Sequence, residues 1–321
     1  MKTQGAQVAR NPVKPGNKLQ ALAKQYKKHW GLVALMIPSL IVLIVFKYVP
    51  IYGVQIAFKD FKASLGIMGS PWSQPLMKHF MKFFNSYNFS RLVINTFLLS
   101  LETLIFSFPL PIILALMLNQ VPNKKFQRTV QTVVYAPHFI SVMVLAGMLH
   151  IFLSPYGGLV NLVINMFGGE SIYFLGDAKW FRPVYTISGI WQDTGWGTII
   201  YLATLSGVNV ELYEAATVDG ANKLQRIWHI DIPALLPTII ILFIMNFGNL
   251  MSVGFEKAYL LQTDLNKGAS DIIATYVYEQ GVLKTQYSFS TAVGLFNTVI
   301  NIILLVTVNQ ISKRVGDVSL W

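Results

Sequence analysis

Apolar residues occur in long runs separated by shorter polar segments. Charge is nearly absent from residues 31–46, 92–118 (only Glu102), 129–153, 183–208 (only Asp193), 232–255 and 285–312. A helix needs about 20 mainly apolar residues to cross the hydrocarbon core, so five of these runs suffice alone. The first suffices if Lys47 snorkels to the interface. The pattern predicts an all-α membrane protein with six transmembrane helices. The intervening segments 50–90, 154–182 and 256–284 are too short for separate domains and carry turn chemistry such as GIMGSPWSQP, SPYGGLVN and LQTDLNKGAS. Pro38, Pro109, Pro111 and Pro137 fall inside spans, which predicts a kinked bundle.

Composition agrees. The 321 residues are 54% hydrophobic and 12% charged, against roughly 25% charged in soluble domains. Cysteine is absent, which excludes disulfides and thiolate metal sites or nucleophiles. About thirty polar residues precede the first span and no small-residue cleavage site follows it, so no cleaved signal peptide is expected.

The net charge of +11 is placed by topology. Residues 1–30 hold seven Lys and Arg and no acid, while Lys124, Lys125, Arg128, Lys223, Arg226, Lys313 and Arg314 fall on the same side when six spans alternate. The positive-inside rule makes that side cytoplasmic, with both termini there. This distribution points to topology and anionic lipid rather than to nucleic acid. It divides the chain into a cytoplasmic tail 1–29, a membrane domain 30–312 and a cytoplasmic tail 313–321.

One polar insert interrupts the apolar pattern: EAATVDGANKLQRIWHIDIP, residues 214–233. Leu212, Ala215 and Ala216 share one face of a short helix, Gly220 is suited to end it, Asn222 to cap a second helix, and Pro233 to open the next span. Such a helix-turn-helix is too short to fold alone, so its apolar face packs on the bundle or on another protein.

The order EAA, three residues, Gly, nine residues, IDIP resembles the EAA loop (here 207–233) of permease subunits in binding-protein-dependent ABC importers. Its anchors are Glu214, Ala215, Ala216, Gly220, Ile230 and Pro233, with Ile232 where Leu is usual and Asp219 beside the Gly. VVYAPHFIS, SPYGGLVNLVI, GIWQDTGWGTIIYLATLSGVNVELYEAA and FIMNFGNL extend the likeness to the sugar-uptake branch. AFKDFKASLGIMGSPW is similar to its oligosaccharide and polysaccharide permeases.

The resemblance implies a type I importer permease fold in a prokaryotic inner or plasma membrane and a coupling helix docked on a cytoplasmic ATPase. It further implies a second permease subunit, usually a distinct chain, two ATPase subunits and an extracytoplasmic solute-binding protein. The chain has no GxxxxGK[ST] loop, so ATP and Mg are expected on the partner, with no enzymatic activity and no cofactor here.

Sugars need hydrogen-bonding groups beside aromatic platforms. The fourth span offers Trp191, Gln192, Asp193 and Trp196, and the fifth Asn246 and Asn249 three residues apart. By the resemblance, Trp196 and Asp193 align with sugar-contacting positions of the maltose importer's larger pore subunit, a Tyr and a Gly there, and Asn246 and Asn249 with two sugar-binding Asn. A carboxylate in place of that Gly accepts from hydroxyls but repels an acidic sugar unless neutralised. Interhelical bonding is the competing role for these polar groups, and the expected one for Glu102. His138 and His150 are read as structural. The alternatives are a non-sugar ABC permease or an ion-coupled carrier using Glu102 and Asp193, though such carriers usually show internal repeats and broken helices. Which sugar is carried, and whether it is acidic, stays open.

Overall fold

The computed structural model describes residues 29–316 and 319–320, so the basic tail 1–28 lies outside the described residues. The described residues fall into two compact units, one ending at Gln55 and the other beginning at Ile56. In the first, helix α1 (Trp30–Leu43) contains Pro38 and continues through a π turn, Ile44–Tyr48, into the 3-10 segment Val49–Phe58. The predicted first span is therefore longer than 31–46, and Lys47 lies inside the helical stretch.

In the second unit, α2 (Phe89–Asn119) is the second span, with Pro109 and Pro111 at a junction midway along it. The next span departs from expectation. Residues 129–153 do not form one rod: α3 (Lys124–Tyr135) ends in a 3-10 turn, Ala136–Phe139, and α4 (Val142–Phe152) leaves at 94°. Pro137 withholds a backbone donor at the break, and Ser141 restarts the helix by accepting from the Val144 amide at 3.3 Å.

Helix α5 (Ala178–Ser206) is capped by Asp177, and α6 (Val210–Val218) by Asn209. Helix α7 (Lys223–Gly248) carries the capping box of Asn222 with Gln225 that begins it. The expected separate helix after Asn222 is thus the first turns of the fifth span, and Pro233 does not open that span. A π turn over Ile227–Asp231 lets the helix run continuously through the proline, because a widened turn re-routes the hydrogen bonding that Pro233 cannot make. After the short α8 (Phe255–Leu261), α9 (Tyr287–Gly316) is the last span.

Among the described residues, four helices suit a membrane by length and composition, or five with the bent pair counted as one. The sixth, α5, is 29 residues long but more polar. It affords this polarity by its place, packed among α2, α3, α7 and α8, where polar side chains find partners in protein instead of lipid. Among the described residues there is no strand, only the isolated bridge Lys59–Trp72. Leu99, Ala146, Phe181 and Ala258 form a core joining α2, α4, α5 and α8, while Ala115, Tyr201, Leu205 and Leu235 form a second where α2, α5 and α7 approach α6.

Candidate translocation site and coupling loop

A cavity of about 430 Å³ lies between α2, α5, α7 and the segment that follows α7. Three of the four expected sugar-contacting residues line it: Asp193, Asn246 and Asn249. Each amide commits one hydrogen to its own helix, Asn246 Nδ2 to the Leu242 carbonyl at 2.8 Å and Asn249 Nδ2 to that of Met245 at 3.0 Å. Their remaining polar capacity is open to the cavity's contents. Ser100, Ser107 and Thr194 also line it, and their hydroxyls are buried without a hydrogen-bond partner among the described residues. A buried hydroxyl left unpaired costs about 1–3 kcal/mol, and these three oxygens are closed off from the cavity as the helices pack.

Trp196 is not in the cavity wall. One turn along α5 from Asp193, it stacks on the ring of His138, with centroids 4.4 Å apart and planes 8° from parallel. The Nδ1 of His138 is 2.9 Å from Asp193 Oδ1. The break between α3 and α4 therefore brings His138 onto the two α5 residues that the sequence singles out. A glycine permits the approach: a Cβ on Gly195 would overlap the Val134 carbonyl of α3. Gln192 donates to the Ile140 carbonyl at 2.8 Å, covering a backbone group exposed by the break. His138, read from sequence as structural, thus belongs to the candidate site. Its partner is 55 residues away and no local spacing announces it.

Lys257 was not singled out either. It is buried on α8, donates to the Tyr185 carbonyl at 2.7 Å and lies 4.5 Å from the centre of the Tyr185 ring. Burial pushes its ammonium down to about 8, partly opposed by the Asp193 charge. Asp193 therefore faces a histidine and the field of a buried lysine. Glu102 makes the interhelical bond expected of it, 3.3 Å to Arg182 Nη1, and His150 lies 3.1 Å from the Leu260 carbonyl. Among the described residues no three potential ligands group around a metal position.

The polar insert folds as a shallow exposed loop. Helix α6 ends in a Schellman arrangement: Ala221 N–H donates to the Ala216 carbonyl at 2.8 Å and Gly220 N–H to that of Thr217 at 3.1 Å, with Gly220 at φ +76°. Glu214, Ala215, Asp219 and Pro233 are exposed and Ala216 is half-buried. Behind them lies Asp231, 0% exposed. Its carboxylate accepts from Tyr213 Oη at 2.5 Å, Asn119 Nδ2 at 3.2 Å and Gln120 Nε2 at 2.7 Å. One buried carboxylate at the head of α7 thereby ties α6 to the end of α2. The sequence reading passed over Asp231, which lies between two motif anchors.

The sequence profile described as "binding-protein-dependent transport system inner membrane component" matches residues 107–317. The polygalacturonan/rhamnogalacturonan transport system permease protein YteP of Bacillus subtilis (strain 168) is 42% identical over 290 residues, 90% of each chain. A crystal structure of a bacterial ABC transporter involved in the import of the acidic polysaccharide alginate matches with a TM-score of 0.84 at 40% identity. It covers 92% of this chain and 99% of that one. A second, of the bacterial alginate transporter in complex with an alginate pentasaccharide-bound periplasmic protein, matches with a TM-score of 0.83 at 38% identity and the same coverage.

Proposed function

Because the chain belongs to the family of binding-protein-dependent transport system inner membrane components, we propose that it forms half of the translocation path of an ATP-driven carbohydrate importer. The cargo is an oligosaccharide or polysaccharide fragment. The observation that carries this reading is the cavity lined by Asp193, Asn246 and Asn249, whose polar groups keep hydrogen-bonding capacity beyond their own helix. A ligand dense in hydroxyls is the chemistry such a wall completes.

Asp193, Trp196, Asn246 and Asn249 are the proposed substrate-binding residues, and His138 joins them. With Trp196 stacked on His138, the two rings form one aromatic platform beside the polar cavity. The polysaccharides named for the relatives, polygalacturonan and alginate, support an acidic cargo. The His138 hydrogen bond and the Lys257 charge offset Asp193, the group that would otherwise repel one.

Glu214, Ala215, Ala216, Asp219, Gly220 and Pro233 form the proposed coupling surface for a partner ATPase, which binds ATP and Mg. The other proposed partners are a second permease subunit, a second ATPase subunit and an extracytoplasmic solute-binding protein, the last supported by the periplasmic protein in the alginate complex. The proposed arrangement is a tail 1–29, a membrane domain 30–312 containing the coupling loop 207–233, and a tail 313–321, with both termini and the loop cytoplasmic. Proteoliposomes of the assembled complex test the reading. Uptake driven by ATP without an ion gradient is expected, and uptake driven by an ion gradient without ATP would overturn it in favour of a secondary carrier.

A further inference from the structure

A second polar cavity, of about 340 Å³, opens beside the coupling loop where α2 ends. Its wall brings together Lys124 from the start of α3 and Lys223 and Arg226 from the start of α7, with Asn119, Gln120 and Tyr213 behind them. Among the described residues no carboxylate lies within ion-pair distance of any of the three cations. Their other contacts are weak: Lys124 Nζ reaches Gln127 at 3.4 Å and Arg226 Nη1 reaches Thr217 at 3.5 Å. The Nε of Arg226 is buried with no hydrogen-bond partner among the described residues.

Asp231 is the nearest buried acid, but its oxygens are taken up by Tyr213, Asn119 and Gln120. It offsets one of three positive charges and leaves the pocket cationic. Three cations converging on a cavity repel one another unless an anion lies between them. Guanidinium and ammonium groups together suit the oxygens of a phosphate.

The surroundings select among phosphates. The pocket lies where the spans α2 and α7 end, between Val121 and Pro122 on one side and Lys223 and Arg226 on the other. A basic pocket between helices at the cytoplasmic end of two spans is where an anionic lipid headgroup binds.

We propose that the pocket formed by Lys124, Lys223 and Arg226 holds the phosphate of an anionic phospholipid. The lipid then becomes part of the wall beneath the coupling loop, joining the end of α2 to the head of α7 beside the Asn119, Gln120 and Tyr213 side chains that hold Asp231. This site is independent of the sugar cavity and of any sugar chemistry.

Native mass spectrometry of the whole assembled complex, titrated with dioleoylphosphatidylglycerol or dioleoylphosphatidylcholine, tests this. The unmodified complex is expected to hold one phosphatidylglycerol that phosphatidylcholine does not displace. Lys223→Gln with Arg226→Gln should weaken that lipid about thirty-fold, since each cation near an anionic lipid is worth about 1 kcal/mol. The charge-keeping pair Lys223→Arg with Arg226→Lys should retain it. If the double variant does not assemble, Lys124→Gln on the opposite wall should weaken the lipid about five-fold. Equal binding of the two lipids, unchanged phosphatidylglycerol binding in the charge-removing variants, or displacement of the lipid by millimolar inorganic phosphate would each overturn the proposal. So would loss of the ATPase subunits from the double variant with lipid binding intact, because the cations would then belong to a protein interface.

Discussion

The imidazole of His138 lies flat against the indole of Trp196 and, through Nδ1, 2.9 Å from the Asp193 carboxylate. Two residues one turn apart on α5 are thus held by a single side chain from the break in the neighbouring span. That arrangement makes His138 the first residue to change. His138→Ala removes a stacking partner and a hydrogen bond, worth about 1 kcal/mol each. The half-saturation for sugar-stimulated ATP hydrolysis should rise up to about thirty-fold. His138→Gln, which keeps a hydrogen-bonding group for Asp193, should recover part of the loss. Half-saturation unchanged in both variants would separate His138 from the sugar path.

The two asparagines test the cavity itself. Asn246→Ala and Asn249→Ala each remove polar capacity from its wall, at about 1 kcal/mol apiece, so each should weaken half-saturation about five-fold without releasing the ATPase. A correctly assembled double variant with normal half-saturation and normal uptake would show that the sugar passes elsewhere.

The coupling loop makes a different prediction, because its damage should appear in assembly. Gly220 is held at φ +76°, where a β-branched side chain is strained, and Glu214 stands exposed on α6. Gly220→Val and Glu214→Ala should reduce copurification of the ATPase and abolish most transport, while the solute-binding protein keeps its affinity for sugar. Full ATPase retention with full transport in both variants would remove this loop from the coupling pathway.

Lys257 gives a pH dependence whose sign is fixed by its burial. With a folded value of about 8 against an ordinary 10.5, the lysine is charged in both folded and unfolded chains below pH 8, and folding bears its desolvation there. Between about 8 and 10.5 the folded chain has released a proton that the unfolded chain still holds, so this group makes stability rise with pH across that window. Thermal unfolding of the detergent-solubilised protein from pH 7 to 10.5 should show the contribution as the difference between the unmodified chain and Lys257→Met. The variant is expected to gain a few degrees at pH 7, with the gain shrinking towards pH 10.5. A gain that does not change with pH would assign the effect to packing.

The structural parts legible in the sequence were those set by local chemistry. Long uncharged runs located the spans, Gly220 marked a left-handed helix end, and Asn222 marked a cap, because each depends on residues within a few positions of itself. The break after Tyr135 was only half legible. Pro137 announced a kink, but a 94° turn also needs Gly195, some 58 positions on, to let α3 lie close to α5. His138, Lys257 and Asp231 were missed for the same reason: their partners are Asp193, Tyr185 and Asn119, distant in sequence and joined only by packing. The unpartnered hydroxyls of Ser100, Ser107 and Thr194 were illegible in principle, since Ser and Thr in a span usually bond back to their own helix.

The π turn at Ile227–Asp231 has a mechanical consequence. Such a turn holds one residue more than the α-helical turn it replaces, and one residue corresponds to about 100° of rotation and about 1.5 Å of advance. Lys223, Leu224 and Arg226 therefore point about a quarter-turn away from where an unbroken helix through Pro233 would aim them. The head of α7 is keyed like a shaft, its angle set by a single surplus residue and locked by Asp231 at the edge of that turn. Removing one residue from the turn would swing the loop-bearing end round and pull Tyr213 off the carboxylate, turning the proposed coupling surface without changing any residue assigned to it.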